Sequence, residues 1–122
     1  MVTFSSFRYA FKGLKYVLRS ERNARIHVIF AVLALIMSIL LRIGLEEWLF
    51  VVTSITLVFF AEIINTAIEK TLDLVTQENN QLVKLIKDMT AAGVLVTAIG
   101  AVIVASVIFI PRMYELVNGL IK

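Results

Sequence analysis

A chain of 122 residues with 60% hydrophobic and 17% charged residues and a mean hydropathy of +0.92 is too apolar for an ordinary soluble domain and reads as one small membrane domain, residues 1–122. The absence of cysteine excludes a disulfide framework and thiolate chemistry. The net charge of +3 is modest, so its distribution carries more than its size.

Residues 3–19 form an amphipathic helix. Phe4, Phe7, Phe11, Leu14 and Leu18 recur at alternating gaps of three and four, with Arg8, Lys12, Lys15 and Arg19 beside them. This is the pattern of a helix lying in the interface with basic groups toward anionic headgroups. Charges and aromatics are interleaved throughout, unlike a cleavable signal peptide. The alternative, a soluble helix packed on another domain, has no other domain here to pack on.

The polar joint Ser20-Glu21-Arg22-Asn23-Ala24-Arg25 leads into a first span over 26–42, with Ser20 as a candidate helix cap and Glu21 favouring the first turn. The span is short and crosses a bilayer if Arg25 and Arg42 snorkel. A tight turn, Arg42 to Glu47, precedes Trp48, which opens the second span at an interfacial position and continues helically over 48–75. A polar loop from Thr76 to Gln81 and a short charged turn with Lys84, Lys87 and Asp88 lead to a third span over 87–110. Along it Gly93, Thr97, Ala101 and Ala105 fall at gaps of four, a small-residue seam that permits close helix packing. Pro111 is expected to end this span, leaving residues 112–122 as a short amphipathic tail.

Lysine and arginine set the orientation. With the N-terminus in the cytoplasm, Arg8, Lys12, Lys15, Arg19, Arg22, Arg25, Lys70, Lys84 and Lys87 are inside and only Arg42, Arg112 and Lys122 are outside. Glu21, Glu69, Asp73, Lys87 and Asp88 then share the cytoplasmic surface, and Glu62 lies deeper.

The chemistry concentrates in Glu62 to Asp73, where Glu62, Asn65, Glu69 and Asp73 fall on one helical face as a polar stripe leading into the membrane. Glu62 and Glu69 are two turns apart, roughly 10 Å along the axis, which suits two carboxylates with separate jobs and excludes a shared-proton dyad. An ionisable residue inside a span reads as functional. Glu69 and Asp73 could equally be solvated partners of Lys70 and its neighbours. Carboxylate oxygens suit magnesium, which takes one or two protein carboxylates plus substrate phosphates. There is no histidine or cysteine cluster for zinc; His27, the one histidine, more naturally orients a neighbour than binds metal. The five glycines are scattered, so neither a phosphate loop nor a kinase glycine loop is present.

Ala61-Glu-Ile-Ile-Asn-Thr-Ala-Ile-Glu69 followed by Asp73, Lys87-Asp88 beyond it, and Lys12-Gly13-Leu14 with Glu21 upstream closely resemble the prokaryotic diacylglycerol kinase and undecaprenol kinase family of small membrane lipid kinases. Glu21-Arg22-Asn23 with His27 and the ending Ile108-Phe-Ile-Pro-Arg112 are similar to its Gram-positive branch, which resembles undecaprenol kinases more than the Gram-negative diacylglycerol kinases. The resemblance implies an all-α membrane protein in the bacterial cytoplasmic membrane, an interfacial helix plus three transmembrane helices, assembled as a homotrimer with sites between subunits. It implies ATP as phosphoryl donor, Mg2+ as cofactor, a membrane lipid alcohol as acceptor and no nucleic acid as partner. By position it makes Glu62 the general base and Glu21 and Glu69 the metal-binding carboxylates. Nucleotide contacts are implied for Tyr9, Asn65, Glu78, Asn79, Asn80, Lys87 and Asp88, with Asp73 and Arg25 supporting. Asn79-Asn80 departs from the tyrosine-histidine or histidine-histidine of many relatives.

Two other classes compete. An ion conductor would place polar groups across the full depth of the membrane, whereas the outer halves of these spans are apolar. A membrane scaffold would use the amphipathic helix and the seam and would have no need of Glu62.

Overall fold

The computed structural model describes residues 3–121, and Met1, Val2 and Lys122 lie outside the described residues. All regular structure in this range is helical: α1 (Phe4–Ser20), α2 (Arg22–Leu40), α3 (Leu45–Val75) and α4 (Gln81–Ile121). The last three are long and apolar enough to cross a membrane.

Thr3 starts α1 by capping, its Oγ1 accepting the Ser6 N–H at 3.4 Å. The helix then lies almost bare. Val17 is its one buried residue, while Phe4 is 95% and Phe11 68% exposed. Most of the apolar stripe is therefore uncovered by protein, as expected of a helix that lies along a lipid interface, and only its Leu14 to Leu18 end faces Val28 and Ile29 of α2. Ser20, expected as a cap, is instead the last residue of α1; the break falls at Glu21, whose extended backbone (φ −109°, ψ 113°) ends one helix and begins the next. Arg25 is exposed at the start of the first span. Its guanidinium turns back and donates to the carbonyls of Leu18 and Arg19 at 3.1 and 2.7 Å, satisfying acceptors that the end of α1 leaves open.

The turn between α2 and α3 is a Schellman motif. Ile43 N–H reaches Ser38 O and Arg42 N–H reaches Ile39 O, both at 3.3 Å, and Arg42 adopts the left-handed conformation (φ 52°) that the motif requires. Ile43, thereby tucked inward, joins Val51, Ile108 and Phe109 in the core, with Trp48 and Leu41 packed on it. The core thus sits at the end of the bundle remote from the polar stripe. Glu47 accepts the Gly44 N–H at 3.1 Å at the start of α3 and also pairs with Arg112 of α4.

That pairing bears on α4, which does not stop at Pro111. The helix runs through it to Ile121. A proline removes one i→i−4 bond, and here the next residue is held against α3 by the Arg112 to Glu47 clasp, so the helix survives the loss. Lys84, Lys87 and Asp88, expected in a charged turn, lie within the first turns of α4, because Asn80 Oδ1 accepts the N–H groups of Leu82 (2.9 Å) and Val83 (3.2 Å) and starts the helix early. The small-residue seam divides in two. Ala101 and Ala105 line a groove against α2 and α3, whereas a side chain added at Gly93 would meet nothing within 4 Å.

The 31 residues of α3 span about 46 Å, longer than a hydrocarbon core of about 30 Å. Counting from an interfacial Trp48, Glu62 lies about 21 Å along the helix, inside the apolar layer, and Glu69 about 32 Å along it, at the far boundary.

Candidate active site

The α3 stripe is built by helical periodicity, and tertiary packing decides what each member does. Glu62 is 2% exposed and is one of the two largest fully buried side chains, the other being Ser38. Its facing residue is His27 on α2, with Nε2 3.3 Å from Oε1. The contact lies within ion-pair distance yet is not aligned as a hydrogen bond, so Oε1 is sealed from solvent without a hydrogen-bond partner. Asn65 Oδ1, less than one turn on, is a second buried acceptor without a partner. Thr66, by contrast, is satisfied locally by donating to Glu62 O at 3.0 Å. Two adjacent buried acceptors left open are costly in a fold this short of polar groups, and they mark a place prepared to receive donors or a cation.

Toward the boundary the stripe continues. Glu69 and Glu21 are half-buried and are the other carboxylates close enough to act electrostatically on Glu62. No group of three or more histidine, cysteine, aspartate or glutamate side chains able to hold a metal occurs among the described residues. Two carboxylates plus the open amide oxygen of Asn65 make an all-oxygen set, and that fits magnesium, which completes its shell with water and phosphate. Asp73 is drawn to α4 by Lys87, whose Nζ lies 2.9 Å from Oδ1. Lys84 and Asp88 pair one turn apart on α4 at 3.0 Å, both well exposed. Lys70 sits 5.7 Å above the ring of Tyr16, tying α1 to α3.

The structure thus brings Glu62 and His27 into contact, gathers Glu21 and Glu69 nearby, and joins Asp73 to Lys87. Tyr9, Glu78 and Asn79 stand apart: all three are exposed and make no side-chain hydrogen bond among the described residues. The side chain of Asn80 is occupied as the cap of α4. Sequence reasoning did not find the Tyr16 to Lys70 stack, the Arg25 clamp, or the identity of the neighbour that His27 orients. The one available signal was a lone ionisable residue in each of two successive apolar runs, His27 in the first and Glu62 at the end of the second.

His27 also closes one end of an apolar groove of about 310 Å³ between α2, α3 and α4, walled by Phe30, Val58, Phe59, Ala101 and Phe109 among others. Val58 is one turn from Glu62, so the buried carboxylate lies beside the end of a channel that would accept a hydrocarbon chain.

The chain matches the family model for prokaryotic diacylglycerol kinase over residues 8–109. It is 36% identical over 110 residues to an undecaprenol kinase of Bacillus subtilis (strain 168), covering 90% of this chain and 89% of that protein. A diacylglycerol kinase of Synechocystis sp. is 40% identical over 114 residues, 91% of this chain but 64% of that longer protein. A diacylglycerol kinase of Escherichia coli (strain K12) is 33% identical over 95 residues, 78% of each chain. With a family model matched over residues 8–109 and a relative 36% identical over 90% of this chain, the chain belongs to the prokaryotic diacylglycerol kinase family.

Proposed function

We propose that this protein transfers the γ-phosphoryl group of ATP to the hydroxyl of a membrane lipid, with undecaprenol the preferred acceptor. The observation that carries the reading is Glu62, a buried carboxylate faced by His27, which itself lines an apolar groove. Membership of a family of lipid kinases supplies the reaction class, and the B. subtilis relative supplies the acceptor.

The hydroxyl of the lipid, its chain lying among the spans, approaches Glu62 from the membrane side while nucleotide arrives at the end of α3 from water. Glu62 takes the hydroxyl proton as the lipid oxygen bonds to the γ-phosphorus and the bond to the departing ADP breaks. Phosphoryl transfer asks little covalent chemistry of the protein, so positioning and charge do most of the work. Glu21 and Glu69, with Asn65 in reach, would hold magnesium, which supplies charge neutralisation on the phosphates. Lys87 offsets negative charge on the transferring group and Asp73 sets its direction. Tyr9, Glu78, Asn79, Asn80 and Asp88 contact the nucleotide, and Arg25 supports Glu21 by fixing the joint on which it sits.

The distribution of lysine and arginine supports a cytoplasmic N-terminus and active site. The open surface at Gly93 supports close approach of a second copy in a homotrimer. Phosphoryl transfer from ATP by purified protein, measured on undecaprenol and diacylglycerol in the same mixed micelles, tests the function. A higher kcat/KM on undecaprenol is expected. The relatives that are diacylglycerol kinases favour the second reading, in which diacylglycerol is the better acceptor and the product is phosphatidic acid.

A further inference from the structure

We propose that His27 is a positioning residue for Glu62: its Nε2–H holds Oε1 of the carboxylate and leaves the other oxygen aimed at the acceptor hydroxyl. This deepens the lipid kinase reading and rests on Glu62 being its base.

The argument begins with what surrounds the carboxylate. Glu62 is 3% exposed at the side chain, and the single donor-bearing side chain within ion-pair distance, among the described residues, is His27 at 3.3 Å. The other charged groups that act on it, Glu21 and Glu69, are both acidic and cannot hold it. The adjoining groove offers apolar walls, with Ser54 and His27 as its polar lining residues. The last torsion of a glutamate is broad and is not fixed by rotamer preference, so the direction of the carboxylate depends on a partner that takes one oxygen. The imidazole does so in either its Nε2–H tautomer or its protonated form, since both present a donor at that nitrogen. The present contact is close but poorly aligned, which is the condition in which catalytic hydrogen bonds are often found before substrate binds. Because His27 also ends the groove, a hydrocarbon chain seated there would stop against the ring and put its hydroxyl beside the base. One side chain thereby sets both the direction of the carboxylate and the depth of the lipid.

The test uses the purified full-length protein in lipid-containing micelles, with kcat and KM measured separately for lipid and for MgATP. His27→Leu fills similar space without a donor, and His27→Gln retains an N–H that can reach Oε1. The leucine protein should lose about tenfold or more in kcat, a share of the roughly 10²–10⁴ that a positioned base contributes, with KM for MgATP unchanged. The glutamine protein should recover most of that loss. Combined with Glu62→Gln, the leucine change should add no further loss, because it acts through the group already removed. Equal activity of the leucine protein and the parent overturns the proposal, as do equal losses in the leucine and glutamine proteins or a full additional loss in the double variant. Should Glu62→Gln alone remain active, the base assignment fails instead, a result separable from the first because it is read without touching His27.

Discussion

Lys87, in the second turn of α4, donates to Asp73 on α3 across 2.9 Å, so a cation proposed to meet the phosphates is held in the resting protein by a carboxylate of the polar stripe. Both side chains are partly exposed, and such a pair contributes little to folding. In the proposed mechanism its value lies in aim: Asp73 would fix the ammonium over the boundary where the nucleotide is proposed to dock.

Two substitutions separate charge from aim. Lys87→Met should lower kcat by about 10²-fold or more, comparable with removing one preorganised donor at developing charge. Asp73→Asn keeps the lysine and loosens it, so its effect should fall mainly on KM for MgATP and stay below about tenfold. Steady-state kinetics with MgATP varied reads both, and a Lys87→Met protein within threefold of the parent would remove the lysine from the mechanism.

The stripe that contains Asp73 was legible because helical periodicity alone puts Glu62, Asn65, Glu69 and Asp73 on one face, and a 3.6-residue repeat does not depend on tertiary context. The interfacial helix was legible for the same reason. What periodicity could not supply were contacts between elements. His27 and Glu62 are far apart in sequence and meet only once α2 has packed on α3. Pro111 read as a terminator because proline usually is one, and the Glu47 partner of Arg112 that carries the helix past it lies 65 residues away. Ser20 and Asn80 are both good caps by propensity; Asn80 caps and Ser20 does not, because the backbone breaks at Glu21. Nothing in the spacing alone linked Glu21 to the stripe, and only the fold brings it, with Glu69, close enough to act on Glu62.

Glu62→Gln should be nearly inactive, with kcat down by about 10²-fold or more while the protein still folds and binds MgATP. Glutamine preserves volume and can still meet His27, so the loss isolates the proton acceptor. Nucleotide binding measured by calorimetry alongside turnover checks the claim. Turnover within tenfold of the parent would end the assignment of Glu62 as base.

Glu21→Ala and Glu69→Ala should each raise the magnesium concentration needed for half-maximal activity, and excess magnesium should restore part of the activity of at least one of them. Glu21 has a further structural position, because its extended backbone forms the break between α1 and α2. The alanine protein should therefore be compared with Glu21→Gln, which keeps the side-chain length while removing the charge. Magnesium titrations that superimpose on the parent for both positions would make these carboxylates structural.

Asn80 allows the cap and the nucleotide site to be told apart. Its Oδ1 accepts two backbone N–H groups at the start of α4, and loss of such a cap costs about 1 kcal/mol. Asn80→Ala should therefore lower stability by about that amount. Asn80→Asp keeps an accepting oxygen and places a negative charge at a helix N-terminus, where the macrodipole favours it, so stability should match or exceed the parent. The same aspartate puts negative charge beside incoming phosphates, so a nucleotide contact at this position predicts a higher KM for MgATP in a protein that has lost no stability. Denaturation and kinetics on the one pair of variants give both answers. If the aspartate protein is stable and its KM for MgATP is that of the parent, Asn80 is a helix cap and not a nucleotide ligand. The proposed nucleotide contacts in this loop would then be left to Glu78 and Asn79, which are exposed and make no side-chain hydrogen bond among the described residues.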